Sequence, residues 1–139
     1  MVIELSGAQR AQEGAAYEQQ ASDACLLVGR VLAEIAAARE AADEGNVRGR
    51  AQRIAAAMTT LSALQWSAEA DGSALGDQLA ALYRYGAERL LAAHFDDGEL
   101  AFNECVSILV PIFDALKAAV PPETPPSRGG FPRQDAAEG

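Results

Sequence analysis

The densest group of potential metal ligands comprises His94, Asp96, Asp97 and Glu99. An imidazole and three carboxylates are suitable ligands for a divalent metal ion. However, the group falls at a predicted turn between two helices, where Asp and Glu also serve as caps and as partners of the helix dipole. The Glu-x-x-His pairs that hold metals inside helical bundles are absent from the sequence. We therefore interpret the group as helix caps and predict no metal site.

Other patterns associated with catalysis are weaker still. Gly129 and Gly130 are adjacent, but they lie in a Pro-rich stretch with no helix after them, so they do not form a phosphate loop. Cys25 and Cys105 lack a Cys-x-x-Cys or Cys/His spacing, and we interpret both as reduced residues that pack within helices. We predict no catalytic residues and no cofactor.

The composition favours a helical protein. The chain has 139 residues, of which 50% are hydrophobic but only 6% aromatic, and Ala, the strongest helix former, is its commonest residue. Its formal net charge of -9 repels a phosphate backbone. No apolar run approaches the roughly 20 residues that cross a bilayer, and the first residues lack the features of a signal peptide. We predict a single cytoplasmic domain with no nucleic-acid partner and no membrane insertion.

Apolar residues recur at spacings of three and four in four segments, which predicts four helices. The first is expected to begin at an N-cap, Ser22, and to end at Gly45. The others are expected over about residues 47–68, 74–95 and 96–120, with Asp96 or Asp97 as the last N-cap. Helices of similar length, about 33 Å each, with short connections pack as antiparallel neighbours. The sequence therefore predicts an all-α, antiparallel up-down four-helix bundle over residues 21–120.

Two terminal segments differ from the bundle. Residues 1–20 are polar and rich in Gln and Ala, and we predict either an arm or a short helix, with Tyr17 as its only aromatic residue. Five of the 6 prolines lie in residues 121–139, which lack apolar periodicity and are predicted to be a disordered tail. The sixth, Pro111, removes a backbone donor inside the fourth helix, where we predict a kink.

The third and fourth helices carry the most informative apolar patterns. In the third, the predicted core stripe comprises Leu75, Leu79, Leu82, Gly86, Leu90 and Ala93, with Tyr85 at its edge. The predicted stripe of the fourth comprises Phe102, Val106, Leu109, Phe113, Leu116 and Val120, and it is widened by Cys105, Ile108, Val110 and Ile112. Such a wide arc indicates a helix that is either central in its bundle or lines a groove for another helix.

Three arginines, Arg48, Arg50 and Arg53, cluster at the start of the second helix, where the helix dipole disfavours positive charge. They form either a docking patch for an acidic partner or a solvated face paired with nearby carboxylates. The sequence leaves both interpretations open.

The third helix also resembles a known motif. From Leu79 to His94 the sequence reads LAALYRYGAERLLAAH, which is similar to the pattern L-x-x-L-Y-x-Y-x-x-x-R-L-x-x-A-N of the FliS-type flagellin export chaperones. The matching positions are Leu79, Leu82, Tyr83, Tyr85, Arg89, Leu90 and Ala93. The similarity extends over about residues 17–118, although Asp23 replaces a Pro, His94 replaces the Asn and the family's late-helix Trp is missing.

The resemblance implies a chaperone that binds the C-terminal segment of flagellin, prevents premature polymerisation and delivers the subunit to the flagellar export gate. An amphipathic client segment would lie in hydrophobic grooves between the helices, without catalysis. We expect a monomer or weak dimer. The expected partner-binding residues are Tyr17, Ile54, Met58, Leu82, Tyr85, Ile108 and Ile112.

Two other functions remain open at this stage. Exposed apolar surface would also suit a homodimeric helical adaptor or a regulatory protein that binds another amphipathic helix. A small helical enzyme would bind an anionic substrate through Arg30, Arg39 or Arg89. That enzyme requires charged residues at core positions, whereas the predicted stripes are apolar.

Overall fold

A computed structural model describes residues 7–95 and 98–120 of the chain. These residues form four helices: α1 (Gly7–Asp43), α2 (Val47–Asp71), α3 (Ala74–Phe95) and α4 (Gly98–Ala119). Within the described residues α1 packs against α2 and α4, and α3 packs against the same two helices, so the four form a closed ring in chain order. The predicted four-helix bundle is confirmed. None of the described helices is long and apolar enough to cross a membrane.

Short capped connections make consecutive helices antiparallel. Gly45 and Gly72 adopt left-handed backbone conformations, with φ of 72° and 75°, which glycine tolerates without strain. Asn46 caps α2, where its side chain accepts a hydrogen bond of 2.9 Å from the Gly49 N–H. Ser73 plays the same role for α3, since its Oγ accepts a hydrogen bond of 2.9 Å from the Gly76 N–H.

The first helix is longer than predicted. It has 37 residues, against 25 for α2 and 22 for α3 and α4. Ser22 lies inside it, so the prediction of an N-cap there was wrong: the Ala- and Gln-rich sequence before Ser22 favours a helix and continues it. Residues 11–20 are all exposed. The sequence predicted either an arm or a short helix here. In the structure this segment is part of α1 and extends beyond the bundle.

The core combines one apolar stripe from each helix. Its largest fully buried side chains are Val28, Val31, Ile35, Leu61, Tyr83, Leu90, Cys105 and Leu109. Among the described residues no polar or charged side chain is buried with them. Burial raises the pKa of the Tyr83 phenol above its ordinary value. Among the described residues, the polar and charged side chains that could bind a ligand therefore lie at the surface.

The core stripe of α3 differs from the predicted one. It comprises Gly76, Ala80, Tyr83, Gly86, Leu90 and Ala93. The placement of Leu75 and Leu82 in the core was wrong, because they are 61% and 40% exposed. That prediction favoured large apolar residues, whereas the neighbouring helices approach the small residues of α3. At Gly86, an added Cβ would lie 3.5 Å from both Cys105 Sγ and Leu61 Cδ1.

The wide arc of α4 is mostly covered. Cys105, Leu109 and Ile112 are buried, while Ile108 and Phe113 are half-buried against the core. Because α4 packs against both α1 and α3, each flank of the arc meets a neighbour. The helix continues through Pro111. On α2, the apolar residue Val47 is 79% exposed, since it lies in the first turn at the end of the bundle.

Two leucines of α3 provide a matched test of this core. Leu90 is 0% exposed, so Leu90→Ala should lower the free energy of unfolding by about 2–5 kcal/mol through lost burial and a cavity. Leu82→Ala should lower it by about 1 kcal/mol or less, because its side chain is already partly in water. Urea denaturation of both variants measures the difference. Equal losses of unfolding free energy in the two variants would contradict the observed core stripe of α3.

Two glycines of α3 test how closely the helices approach. A Cβ at Gly76 would lie 2.5 Å from the backbone oxygen of Ala68, so Gly76→Ala should destabilise the fold by about 1–3 kcal/mol. At Gly86 the nearest atoms are at ordinary contact distance. Gly86→Ala should therefore be neutral or stabilise the fold by up to about 1 kcal/mol through better helix propensity. Thermal melts of the two variants should shift in different directions or by clearly different amounts.

Candidate partner-binding surface

Exposed large apolar side chains are concentrated on α3. Five of them, 40% to 75% exposed, define what we call the α3 face: Leu75, Leu82, Tyr85, Leu91 and Phe95. In the described part of the chain each other helix has two such residues: Tyr17 and Leu26, Val47 and Trp66, and Leu100 and Val110. Exposed apolar side chains grouped on one helix are typical of a surface that binds another protein.

An ion pair sets the register between α3 and α4. Arg89 Nη1 lies 3.0 Å from Glu104 Oε1. Residues four and seven positions apart share one face of a helix, so Leu82 and Tyr85 lie on the same flank of α3 as Arg89. By the same rule Ile108 and Pro111 lie on the same flank of α4 as Glu104.

Because α3 and α4 run antiparallel, these two sets of residues lie beside each other. We call Leu82, Tyr85, Ile108 and Pro111 the α3–α4 groove. Tyr85 is 44% exposed, Ile108 is half-buried and Pro111 is exposed. The groove is thus apolar and open to solvent, with the Arg89–Glu104 pair at one end.

The same ion pair orients the aromatic residue of the groove. The guanidinium carbon of Arg89 lies 5.7 Å from the centroid of the Tyr85 ring, a cation–π distance. The hydrogen bond that Arg89 donates to Glu104 raises the pKa of Arg89, so its charge is retained. Tyr85 is held from one side by Arg89 and has its other side free for a partner.

The arginines at the start of α2 mostly have internal partners. Arg50 donates a hydrogen bond to the Ala93 carbonyl, and its guanidinium carbon lies 5.5 Å from the Phe102 ring centroid. Arg53 forms an ion pair of 2.9 Å with Glu34. For these two, the structure favours a paired face over a docking patch. Arg48 is exposed.

Two of the three arginines named for the enzyme alternative, Arg39 and Arg89, are also paired with carboxylates. A cavity of about 290 Å³ at the end of the bundle is lined by Arg39 and Arg50. Arg39 donates to Asn103, lies 3.5 Å from Glu99 and stacks 5.5 Å from the Phe102 centroid. Glu99 and Asp43 also line this cavity. The paired charges give an anionic substrate no net attraction there.

The structure brings together only some of the predicted partner-binding residues. Leu82, Tyr85 and Ile108 meet at the α3–α4 groove. Ile54 and Ile112 are 2% and 8% exposed, so they belong to the core and offer no surface in this bundle. They were chosen as apolar residues on helix stripes, and such a stripe does not distinguish a groove from a core.

The remaining predicted residues lie elsewhere. Met58 is half-buried on α2. Tyr17 is 70% exposed on the extended part of α1, and α1 does not contact α3 within the described residues. Asp96 and Asp97, considered as ligands and caps, lie outside the described residues. The described residues contain no group of three potential metal ligands.

Sequence reasoning missed Leu75, Leu91 and Phe95. The signal was present, since Leu75 lies seven positions before Leu82 and Phe95 lies four after Leu91, which are spacings that keep residues on one side of a helix. It was hidden because Leu75 was assigned to the core stripe. Tyr83 is 2% exposed, and this burial sets the rotation of α3 that turns these residues outward.

A closed bundle with an apolar core, one helix of which exposes several large apolar side chains, is typical of a protein-binding module. The family model for the flagellar protein FliS matches residues 6–123. The chain therefore belongs to the FliS family, a family of flagellar chaperones and not of enzymes. The resemblance found in the third helix is thus confirmed. A search of curated proteins finds no match to the chain.

The two cysteines provide a test of burial on α4. Both are free, with Cys25 half-buried and Cys105 buried. Desolvation raises the pKa of Cys105 from 9.0 to about 12, so its thiol remains protonated and unreactive. In the folded protein at about pH 8, a thiol reagent should modify Cys25 first and Cys105 only at the rate of unfolding. Mass mapping of the labelled peptides measures both.

The same shift predicts how stability depends on pH. The folded state holds the Cys105 proton more tightly than the unfolded state. The contribution of Cys105 to the free energy of unfolding is therefore complete below pH 9.0 and is lost as the pH rises toward 12. The Cys105→Ser variant should lose less stability as the pH rises above 9.0. Rapid labelling of Cys105 in the native state would contradict its burial.

Proposed function

We propose that the chain is a cytoplasmic flagellar export chaperone that binds the C-terminal segment of flagellin. It prevents premature polymerisation of this client and delivers it to a component of the export gate. The observation that supports this proposal is the α3–α4 groove, which is apolar, solvent-exposed and set in register by the Arg89–Glu104 pair. Membership of a flagellar chaperone family supports the same conclusion.

The groove suits an amphipathic helix as its ligand. Such a segment places its apolar face over Leu82 and Ile108, which removes apolar surface of both partners from water. Tyr85 contributes a large apolar ring whose hydroxyl stays hydrated at the rim.

Binding of this kind explains how a chaperone blocks assembly without any reaction. A segment that is disordered as a monomer must be ordered when it binds, which costs free energy and requires a large contact surface. The apolar face that it uses for polymerisation is then covered by the chaperone. Release exposes that face again, so a binding equilibrium is sufficient for the function.

Truncation of groove residues tests the proposal. Tyr85→Ala and Ile108→Ala should each weaken binding of a flagellin C-terminal peptide by more than about 1 kcal/mol, because each removes apolar contact at the centre of the groove. Leu82→Ala should do the same while leaving most of the stability intact. Calorimetric titration measures the affinities, and thermal melts show that the variants remain folded.

A matched control is Trp66→Ala, since Trp66 is 75% exposed on α2 and lies outside the groove. It should leave the affinity unchanged. Absence of binding by the unsubstituted protein at about tens of micromolar peptide, a range in which specific segments of this size bind, would contradict the chaperone proposal. A stable dimer in sedimentation, dissociated by Leu82→Ala or Tyr85→Ala, would then favour the homodimeric adaptor.

A further inference from the structure

We infer that residues 128–133 of this chain bind in the α3–α4 groove and compete there with the client. This segment, called the tail segment below, reads RGGFPR and follows α4, outside the described residues. Its binding to the groove does not depend on which client the protein has. The competition rests on the proposed function, because it takes the groove as the binding site of the client.

The chain leaves the bundle at one end of this groove. Helix α4 lines the groove with Ile108 and Pro111, and it ends at Ala119, eight residues beyond Pro111. At 1.5 Å per residue, that end lies about 12 Å from Pro111. Phe131 follows Ala119 by twelve residues, and a flexible chain of that length has an r.m.s. end-to-end distance of about 19 Å. The connection therefore places Phe131 within reach of the groove.

Two contacts fix which residues of α3 and α4 lie at the same level. Arg89 pairs with Glu104, and the Cys105 thiol lies 3.7 Å from the Gly86 carbonyl oxygen. Because the helices are antiparallel, each step toward the end of α3 is a step toward the start of α4. The level of any other residue of α3 on α4 follows by counting from these contacts.

The groove has an apolar centre with an exposed carboxylate on each side of it. By this counting Tyr85 lies level with Ile108, to within about one residue. Glu88 and Asp114 are exposed and lie three positions after Tyr85 and Pro111, so each lies at the outer rim of the groove. The level of Glu88 is ten residues of α4 from Asp114, which is about 15 Å. The apolar centre lies about 9 Å from Asp114.

The spacing within the tail segment matches these distances. In an extended chain, at about 3.3 Å per residue, Arg128 and Arg133 are about 16.5 Å apart. Phe131 is about 10 Å from Arg128. With Arg128 beside Asp114, Phe131 therefore falls at the apolar centre of the groove. Arg133 then falls near Glu88.

The residues between the two arginines favour this extended conformation. Phe131 precedes Pro132, and a residue before proline is restricted to an extended backbone. Gly129 and Gly130 have no side chains, so the chain can approach the helices closely at these positions. A segment that is predicted to be disordered by itself can become ordered when it binds. The tail segment can thus lie along the groove with the Phe131 ring directed into it.

The position of Arg128 carries negative charge that no cation neutralises. Asp114 is exposed, and among the described residues it takes part in no ion pair. The one cation of α4, Lys117, lies 5.4 Å from the ring centroid of Phe113. That ring contacts Gly29 of α1, on the side of α4 away from the groove. Asp114 is therefore available to the guanidinium of Arg128.

The position of Arg133 is closer to charge balance. Glu104 pairs with Arg89 there, and Arg84 lies one turn before the exposed Glu88. Carboxylates and guanidiniums are thus equal in number at this end of the groove. We expect Arg133 to contribute less to binding than Arg128.

The consequence is a competitor for the client within the chaperone itself. A tethered segment has an effective concentration on the order of millimolar, so even a weak site is occupied for part of the time. The apparent affinity for the client falls with the fraction of chains in which the groove is empty. If about a quarter of the grooves are empty, the client binds about fourfold more weakly.

Photocrosslinking tests the docking without any client. Benzoylphenylalanine replaces Phe131 in the full-length chain, which is irradiated at low concentration. Mass spectrometry should identify a crosslink within one chain, to the peptide that contains Tyr85 or to the one that contains Ile108. The matched control carries the same group in place of Thr124, seven residues earlier in the same region, and should not crosslink to these two peptides.

Charge reversal adds a second criterion to the same experiment. Arg128→Glu should lower the crosslink yield several-fold, and Arg133→Glu should lower it less. Absence of the crosslink, a crosslink to other helices, or a crosslink between two chains would each overturn the docking. A yield that neither charge reversal changes would overturn the proposed register.

Calorimetric titration measures the competition separately. Phe131→Ala should tighten binding of the flagellin C-terminal peptide by about threefold or more, whereas Glu123→Ala, before the tail segment, should leave it unchanged. Equal affinities of the Phe131→Ala variant and the unsubstituted protein would overturn the competition. A peptide that binds neither protein would refute the proposed function and the competition, whereas the crosslink would still establish the docking.

Discussion

The close approach of α3 to its neighbours is the constraint on which the rest of the structure depends. Gly76 faces the backbone of α2, and Gly86 faces Leu61 and Cys105. Neither position therefore has space for a leucine side chain. Tyr83 fills the middle of the interface instead, at 2% exposure. Since the small residues of α3 turn inward, its leucines turn outward. The exposed apolar face is therefore a consequence of how the core is packed.

The Arg89–Glu104 pair acts through geometry more than through energy. Side chains exposed by 33% and 37% form a pair that water and salt screen, so it adds little to stability. However, the pair fixes which residues of α3 lie beside which residues of α4, and Arg89 holds the ring of Tyr85. A charged group at one end of an apolar groove also disfavours clients that place apolar residues there. The pair therefore marks the register of the two helices and contributes little to their stability.

The sequence was sufficient for the fold because long amphipathic segments, Gly45 and Gly72 and an Ala-rich composition all indicate the same helices. The bounds of α3 were predicted to the residue. The start of α1 was missed, since Ser22 is a good cap in isolation but has helix-forming sequence before it. Of the residues predicted to bind a partner, Leu82, Tyr85 and Ile108 lie at the groove, whereas Ile54 and Ile112 are core residues. Periodicity gives the relative rotation of residues within a helix, but which side faces the core depends on packing between helices.

Magnitudes favour a client that binds on the surface over one that opens the bundle. Exposure of Ile112 or Ile54 to a partner requires that α4 or α2 leaves the core, and each large side chain removed from its packing costs about 2–5 kcal/mol. Small domains have a total stability of about 5–15 kcal/mol, so two or three such losses would unfold the chaperone. The residues of the α3 face are already in solvent and require no such rearrangement.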